Sequence, residues 1–99
     1  MIHQLKTESQ FFEASAAGEK NFEVRENDRD FRVGDLLALN EVEWNEKTEV
    51  LEYTGRCSLV IVTYILDDPR YLRPGYVVLS TLPCEIKKKE NNLRTPVYR

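Results

Sequence analysis

The sequence holds few of the residues from which metal sites, disulfide frameworks and phosphate-binding loops are built. Its 99 residues include two cysteines, one histidine and four glycines, and the glycines stand singly. With no Cys-x-x-Cys pair and only His3, a structural zinc site is not expected. We expect Cys57 and Cys84 to be reduced thiols, and we expect no metal and no other cofactor. Neither a glycine-rich phosphate loop nor a nucleophile-elbow motif is present.

Long apolar runs are also missing. No stretch is long enough to cross a bilayer, and the first residues lack the basic start and apolar core of a signal peptide. We therefore expect a cytoplasmic protein with no membrane contact. The formal net charge of −3 argues against broad, non-specific binding to nucleic acid, although it leaves room for a local basic cleft.

Pattern and turn residues predict one helix among several strands. A capping-box pattern that starts at Thr7 predicts a helix over 8–17. Gly18 follows it as the left-handed residue that ends a helix. The next segment, 20–25, alternates apolar and charged side chains, which is typical of a half-buried strand.

Short strands make up most of the remaining chain. They are predicted over 2–6, 36–42, 48–54, 56–66 and 76–82, with a turn at 53–55. The run 56–66 is the most apolar and should be the central, most buried strand. This order indicates an α+β, mainly β, domain: a small β-barrel with one principal helix across one end. We place the domain over 1–86 and interpret the polar residues 87–99 as a disordered tail.

The strand after the helix carries the strongest candidate site. Phe22 and Val24 alternate there with Glu23 and Arg25, and Lys20 comes just before them. The charged side chains could grip a phosphate or the edge of a base, since arginine suits phosphate and guanine and a carboxylate accepts from exocyclic amines. The competing interpretation is an exposed strand face with a surface ion pair, worth only about 0–1 kcal/mol.

Three weaker candidates lie elsewhere. The charged loop with Asn27, Asp28 and Arg29 could extend the site, although such loops are usually solvated and make local turn bonds. Tyr71, between two arginines, could stack on an unpaired base. His3 could act as a general base, but a lone histidine at the start of a strand is more often a hydrogen-bonded structural residue.

One combination of motifs is distinctive. Gly-x-Lys-x-x-Glu-x-Arg runs from Gly18 to Arg25, and the further matches are Asn27-Asp28-Arg29, Val33-Gly34-Asp35, Tyr53-Thr54-Gly55-Arg56 and Gly75-Tyr76. In this respect the chain resembles the DUF3850 group of the ASCH-like branch of the PUA superfamily, a bacterial and phage group. The resemblance covers roughly residues 1–82. It implies a small β-barrel with a cleft beside the helix, lined by Lys20, Glu23 and Arg25, and RNA or a modified nucleoside as the ligand.

A related ASCH branch hydrolyses N4-acylated cytidines with a lysine, a threonine three residues later and a distant glutamate. Lys20 matches that lysine, but Glu23 stands at the threonine position. No glutamate falls near the expected late position, where Asp67 and Asp68 are the nearest acids. The departure argues against amidohydrolase activity, in which Lys20 would be the catalytic residue.

The leading expectation is a binding module for RNA or a nucleotide. The expected binding residues are Lys20, Glu23, Arg25, Asn27, Asp28 and Arg29. The first alternative is a small amidohydrolase acting on a modified nucleoside. The second is a protein-binding module of phage or mobile-element origin, which the acidic charge balance allows.

Overall fold

The computed structural model describes residues 1–84. The predicted disordered tail, 87–99, and the end of the predicted domain at residue 86 lie outside the described residues. Five strands and one helix follow in the order β1 (Ile2–Glu8), α1 (Ser9–Ala16), β2 (Phe22–Glu26), β3 (Leu36–Asn45), β4 (Val50–Leu66) and β5 (Tyr76–Pro83). The α+β, mainly β, class is therefore confirmed.

The strands form one mixed sheet in the spatial order β1-β3-β4-β5-β2. β1 runs parallel to β3, and the other neighbouring pairs are antiparallel. Within residues 1–84 no backbone pairing joins the two edge strands, β1 and β2, so strand pairing does not close the sheet into the predicted barrel. We call the gap between these two edges the seam.

One hydrophobic core lies on the inner face of the sheet. Every strand except β2 contributes to it. Along each contributing strand, the inward-facing side chains alternate with side chains on the opposite face. The loop before β3 adds one aromatic ring. The core residues are Leu5, Phe31, Leu37, Leu39, Val60, Val62, Val77 and Leu79.

The start of the helix differs from the sequence prediction. Thr7 lies in β1 rather than at a helix cap, and the residue before the helix, Glu8, makes no side-chain capping bond. Thr7 is buried, because it is one of the inward-facing residues of β1. The prediction for the helix end is confirmed: Gly18 has a φ of +79°, a conformation that costs glycine little.

The predicted turn at 53–55 is wrong. β4 is one continuous strand, and Gly55, at φ +93°, lies in a bulge within it. The register shifts there, because Asn40 pairs with Cys57 while Val42 pairs with Tyr53. A bulge keeps the strand direction and inserts extra residues, so it produces the same glycine signal as a turn.

β4 is central in the strand order, but it is not the most buried strand. Only Val60 and Val62 are buried along its length, whereas five residues of β3 are buried. β3 lies between β1 and β4 and also contacts the helix, while the first half of β4 extends past the end of β5.

A buried carboxylate on β3, opposite the bulge, connects the sheet to the helix through Arg56. Glu41 accepts from Arg56 Nε at 2.8 Å and Nη2 at 2.9 Å, and from Thr54 Oγ1 at 2.7 Å. Arg56 also pairs with Glu13 of the helix and stacks 4.9 Å from the centre of the Phe12 ring. Hydrogen bonds from Arg56, supported by Thr54, lower the pKa of Glu41 to about 2.

We predict that Glu41→Gln lowers the free energy of unfolding at pH 7 by about 1–3 kcal/mol, because a charge-assisted bond network is lost. The lowered pKa means that ionised Glu41 stabilises the fold fully above its ordinary pKa of 4.5 and progressively less as the pH falls towards 2. The difference between wild type and variant should therefore shrink over that range. Urea unfolding at several pH values measures it, with the exposed Glu46→Gln as control; a difference that does not depend on pH would contradict the assignment.

Candidate functional site

The buried face of β2 is its charged face. Glu23 is only 4% exposed, whereas Phe22 and Val24 are 45% and 53% exposed. The register explains this, since Glu23 pairs with the core residue Leu79, and cross-strand partners share a face. The apolar side chains of β2 therefore point away from the core.

Two cations neutralise the Glu23 carboxylate. Lys20 Nζ donates to Oε2 at 2.6 Å, while Arg25 donates to Oε1 through Nε at 3.1 Å and Nη2 at 2.8 Å. A carboxylate has about four acceptor positions, and these bonds use three of them. Lys20 Nζ also donates to the carbonyl oxygen of Phe22 at 2.7 Å.

Arginine side chains span the seam. Arg25 Nη1 donates to the carbonyl oxygen of Lys6 at 3.1 Å, and its Nη2 reaches Thr7 Oγ1 at 3.3 Å. Arg29 Nη1 donates to the carbonyl oxygen of Gln4 at 2.7 Å. These carbonyls belong to the edge of β1, whose backbone groups would otherwise need water or another strand. Side chains thus connect the two edges that the backbone leaves apart.

A cavity of ≈ 390 Å³ opens at the seam beside the helix. We call it the seam cleft. Its lining residues are Lys6, Thr7, Glu8, Phe11, Lys20, Phe22, Glu23, Val24 and Arg25. Lys20 Nζ lies 5.9 Å from the centre of the Phe11 ring and 5.1 Å from that of Phe22. Two partly exposed aromatic rings therefore flank an ammonium group at the mouth of a small cavity.

The loop residues that the sequence analysis singled out lie apart from the seam cleft or at its margin. Asp28 and Arg29 line a second, smaller cavity of ≈ 250 Å³ on the other side of Arg25. Asn27 lines neither cavity; its Oδ1 accepts from the amide of Phe31 at 3.3 Å, which is a local loop bond. The structure therefore brings Lys20, Glu23 and Arg25 together and places the loop residues beside them.

The other sequence candidates lie outside the seam cleft. His3 is buried, and its Nε2 lies 2.7 Å from Asp35 Oδ2. The hydrogen bond with His3 holds the pKa of Asp35 below its ordinary value. Tyr71 is exposed, and the guanidinium of Arg70 lies 5.2 Å from the centre of its ring.

Sequence reasoning missed six of the residues that line the cleft: Lys6, Thr7, Glu8, Phe11, Phe22 and Val24. Thr7 was assigned to the helix cap, yet it and Phe11 of the helix both line the cavity. The signal available was weak: β1 runs on into the helix without a loop, so the end of that strand and the first turn of the helix must lie at the same edge of the sheet.

Residues 1–84 contain no helix of the length and apolar character needed to span a bilayer. The family model described as "Domain of unknown function (DUF3850)" matches residues 2–81. A comparison with curated proteins gives no match.

Removing the Glu23 charge should loosen the seam. We predict that Glu23→Gln lowers the free energy of unfolding by about 1–3 kcal/mol, because Lys20 and Arg25 lose the partner that compensates their partly buried charges. Glu26→Gln is the matched control, since Glu26 lies on the same strand but is exposed. Denaturant unfolding of both variants measures the difference, and equal stabilities would mean that the Glu23 ion pairs do not hold the seam.

Proposed function

The chain belongs to the DUF3850 family, and we propose that it is a nucleotide-binding module whose ligand enters the seam cleft. The observation that carries the proposal is the pairing of two partly exposed phenylalanine rings with the side chains of Lys20 and Arg25 around one cavity. Aromatic rings offer a stacking surface for a base, and cations hold its edge or its phosphate. The cavity volume lies within the range of small-molecule sites.

The charge of the cleft favours one phosphate rather than many. Lys6, Lys20 and Arg25 supply three positive charges, while Glu8 and Glu23 supply two negative ones, which leaves a net charge of +1. Long polyanions need several phosphate contacts, and their affinity falls steeply with salt. We therefore propose a mononucleotide or one nucleotide of a single strand, bound with modest salt dependence.

The hydrogen bonds inside the cleft also favour one kind of base edge. Lys20 has three N–H groups and Arg25 has five; two and four of these, respectively, have partners within residues 1–84. One donor of each side chain remains for a ligand. The Glu23 carboxylate, by contrast, faces inward and already accepts three bonds. The two cations therefore offer donors, and the part of the ligand that meets them should offer acceptors.

Guanine fits this description better than adenine. Its O6 and N7 are adjacent acceptors, which lysine and arginine commonly bind together, whereas adenine places an amino group beside N7. In this proposal Glu23 is a positioning residue that fixes Lys20 and Arg25. Lys20 and Arg25 then select the base.

We predict that GMP and IMP bind at least about tenfold more tightly than AMP, since one unmatched polar edge costs roughly 1–3 kcal/mol. IMP is the matched control, because it shares O6 and N7 with GMP but lacks the 2-amino group. Isothermal titration with the three nucleotides measures the order. Equal affinity for AMP and IMP would contradict recognition of the base edge by the donors of Lys20 and Arg25.

Stacking gives a separate prediction. Phe22→Ala should weaken GMP binding by about tenfold, in line with the roughly 1–3 kcal/mol that base–aromatic stacking supplies. The side chain is half exposed, so the fold should tolerate the change. Tyr64→Ala removes another exposed aromatic ring, from β4 outside the cleft, and should leave the affinity unchanged.

Two results would redirect the proposal. If both aromatic variants bind GMP as well as wild type does, the seam cleft is not the binding site. If the purified protein instead releases acetate from N4-acetylcytidine and Lys20→Ala abolishes this turnover, the amidohydrolase becomes the better proposal.

A further inference from the structure

A second surface lies at the far end of the β3–β4 hairpin. β1 pairs with β3 only as far as Val42, and β5 pairs with β4 only from Val60 onward. Residues 43–54, which we call the arm, therefore extend as a two-stranded ribbon beyond the other described strands. Local bonds connect the residues of its tip: Asn45 Oδ1 accepts from the amides of Lys47 and Thr48 at 2.8 and 3.2 Å.

One face of the arm is apolar and open. Trp44 pairs with Leu51, and the buried Val42 pairs with Tyr53, so these four side chains share a face. Trp44, Leu51 and Tyr53 are 58%, 50% and 63% exposed. Scattered apolar residues on a surface are ordinary, but a contiguous apolar row is typical of an interaction site.

A groove runs between this face and the first turn of the helix. It encloses ≈ 380 Å³, and its lining includes Val42, Trp44 and Leu51 together with the carboxylate-bearing Glu8 and Glu43. An apolar anchor side chain could enter it, with negative charge close by. The groove shares only Glu8 with the seam cleft.

The arm also carries the whole net charge of the chain. It contains four glutamates and one lysine, Lys47, for a net charge of −3, and the remaining residues hold 13 acidic and 13 basic side chains. Glu43 stands directly opposite Glu52. Like charges at such a cross-strand position are destabilising, and a cation placed near them would relieve the repulsion.

We propose that the arm docks a basic protein segment that carries one apolar anchor residue. The anchor enters the groove beside Trp44, and one lysine or arginine side chain meets Glu43, which lines the groove. A second reaches around the edge of the arm to Glu52, the cross-strand partner of Glu43 on the opposite face. Nucleic acid is a poor occupant because the arm repels phosphate. A second copy of the arm is a poor occupant for the same electrostatic reason. This surface is independent of the nucleotide proposal.

Trp44 is the only tryptophan in the chain, so its fluorescence in the full-length protein reports on this surface alone. The probe is a blocked pentapeptide with four lysines around one leucine. We expect a saturable blue shift of Trp44 emission, affinity about tenfold lower when the leucine is replaced by alanine, and weaker binding as salt rises. The Tyr64→Ala variant, which removes an exposed aromatic ring outside both surfaces, should give the same curve as wild type.

Charge is tested at the arm itself. Glu43→Gln combined with Glu52→Gln should weaken the peptide by about threefold or more, while Glu19→Gln, an exposed acid at the opposite end of the helix, should have no effect. These substitutions remove repulsion and should not unfold the arm. The proposal is overturned if an equivalent glutamate–leucine peptide or oligouridine gives the same shift, or if the lysine–leucine peptide gives none. Emission that is already blue-shifted in the free protein would also overturn it, because the face would then be covered.

Discussion

Shielding a carboxylate from water is costly unless cations and hydrogen bonds replace the lost hydration. Glu23 meets this condition through Lys20 on one oxygen and Arg25 on the other. The same guanidinium reaches across to β1, so one charge cluster orders the end of the helix, β2 and the opposite sheet edge. The open side of the sheet depends on this cluster because no backbone pairing between β1 and β2 is present in residues 1–84.

The cluster also limits what the cleft can recognise. The carboxylate is used internally, and the cations keep their remaining donors for a ligand, which is why we assign base selection to Lys20 and Arg25 rather than to Glu23. The net negative charge of the chain resides in the arm, at the far end of the hairpin. Separation of the two surfaces lets an acidic protein keep a cleft with a net positive charge, and we propose a different partner for each.

The sequence predicted the helix with its end at Gly18, every strand except the undivided β4, and the residues of the charge cluster, because periodicity and the Gly18 signal are local. It predicted less well whatever depends on tertiary contacts. The alternation along β2 does not indicate which of its two faces is buried. Glu23 is buried because its cross-strand partner, Leu79, lies in the core. Gly55 signals a turn or a bulge equally. Glu41 and Arg56 are 15 residues apart, and only the bulge register brings them together.

A high-resolution structure of the protein with GMP bound tests the role of the Glu23 charge cluster most directly. We predict that the base lies against Phe22 in the seam cleft, with O6 and N7 within hydrogen-bond distance of Lys20 Nζ or Arg25 Nη1. Glu23 should keep its bonds to both cations. A nucleotide bound elsewhere, or a Glu23 carboxylate that leaves Lys20 and Arg25 to accept from the base, would contradict it.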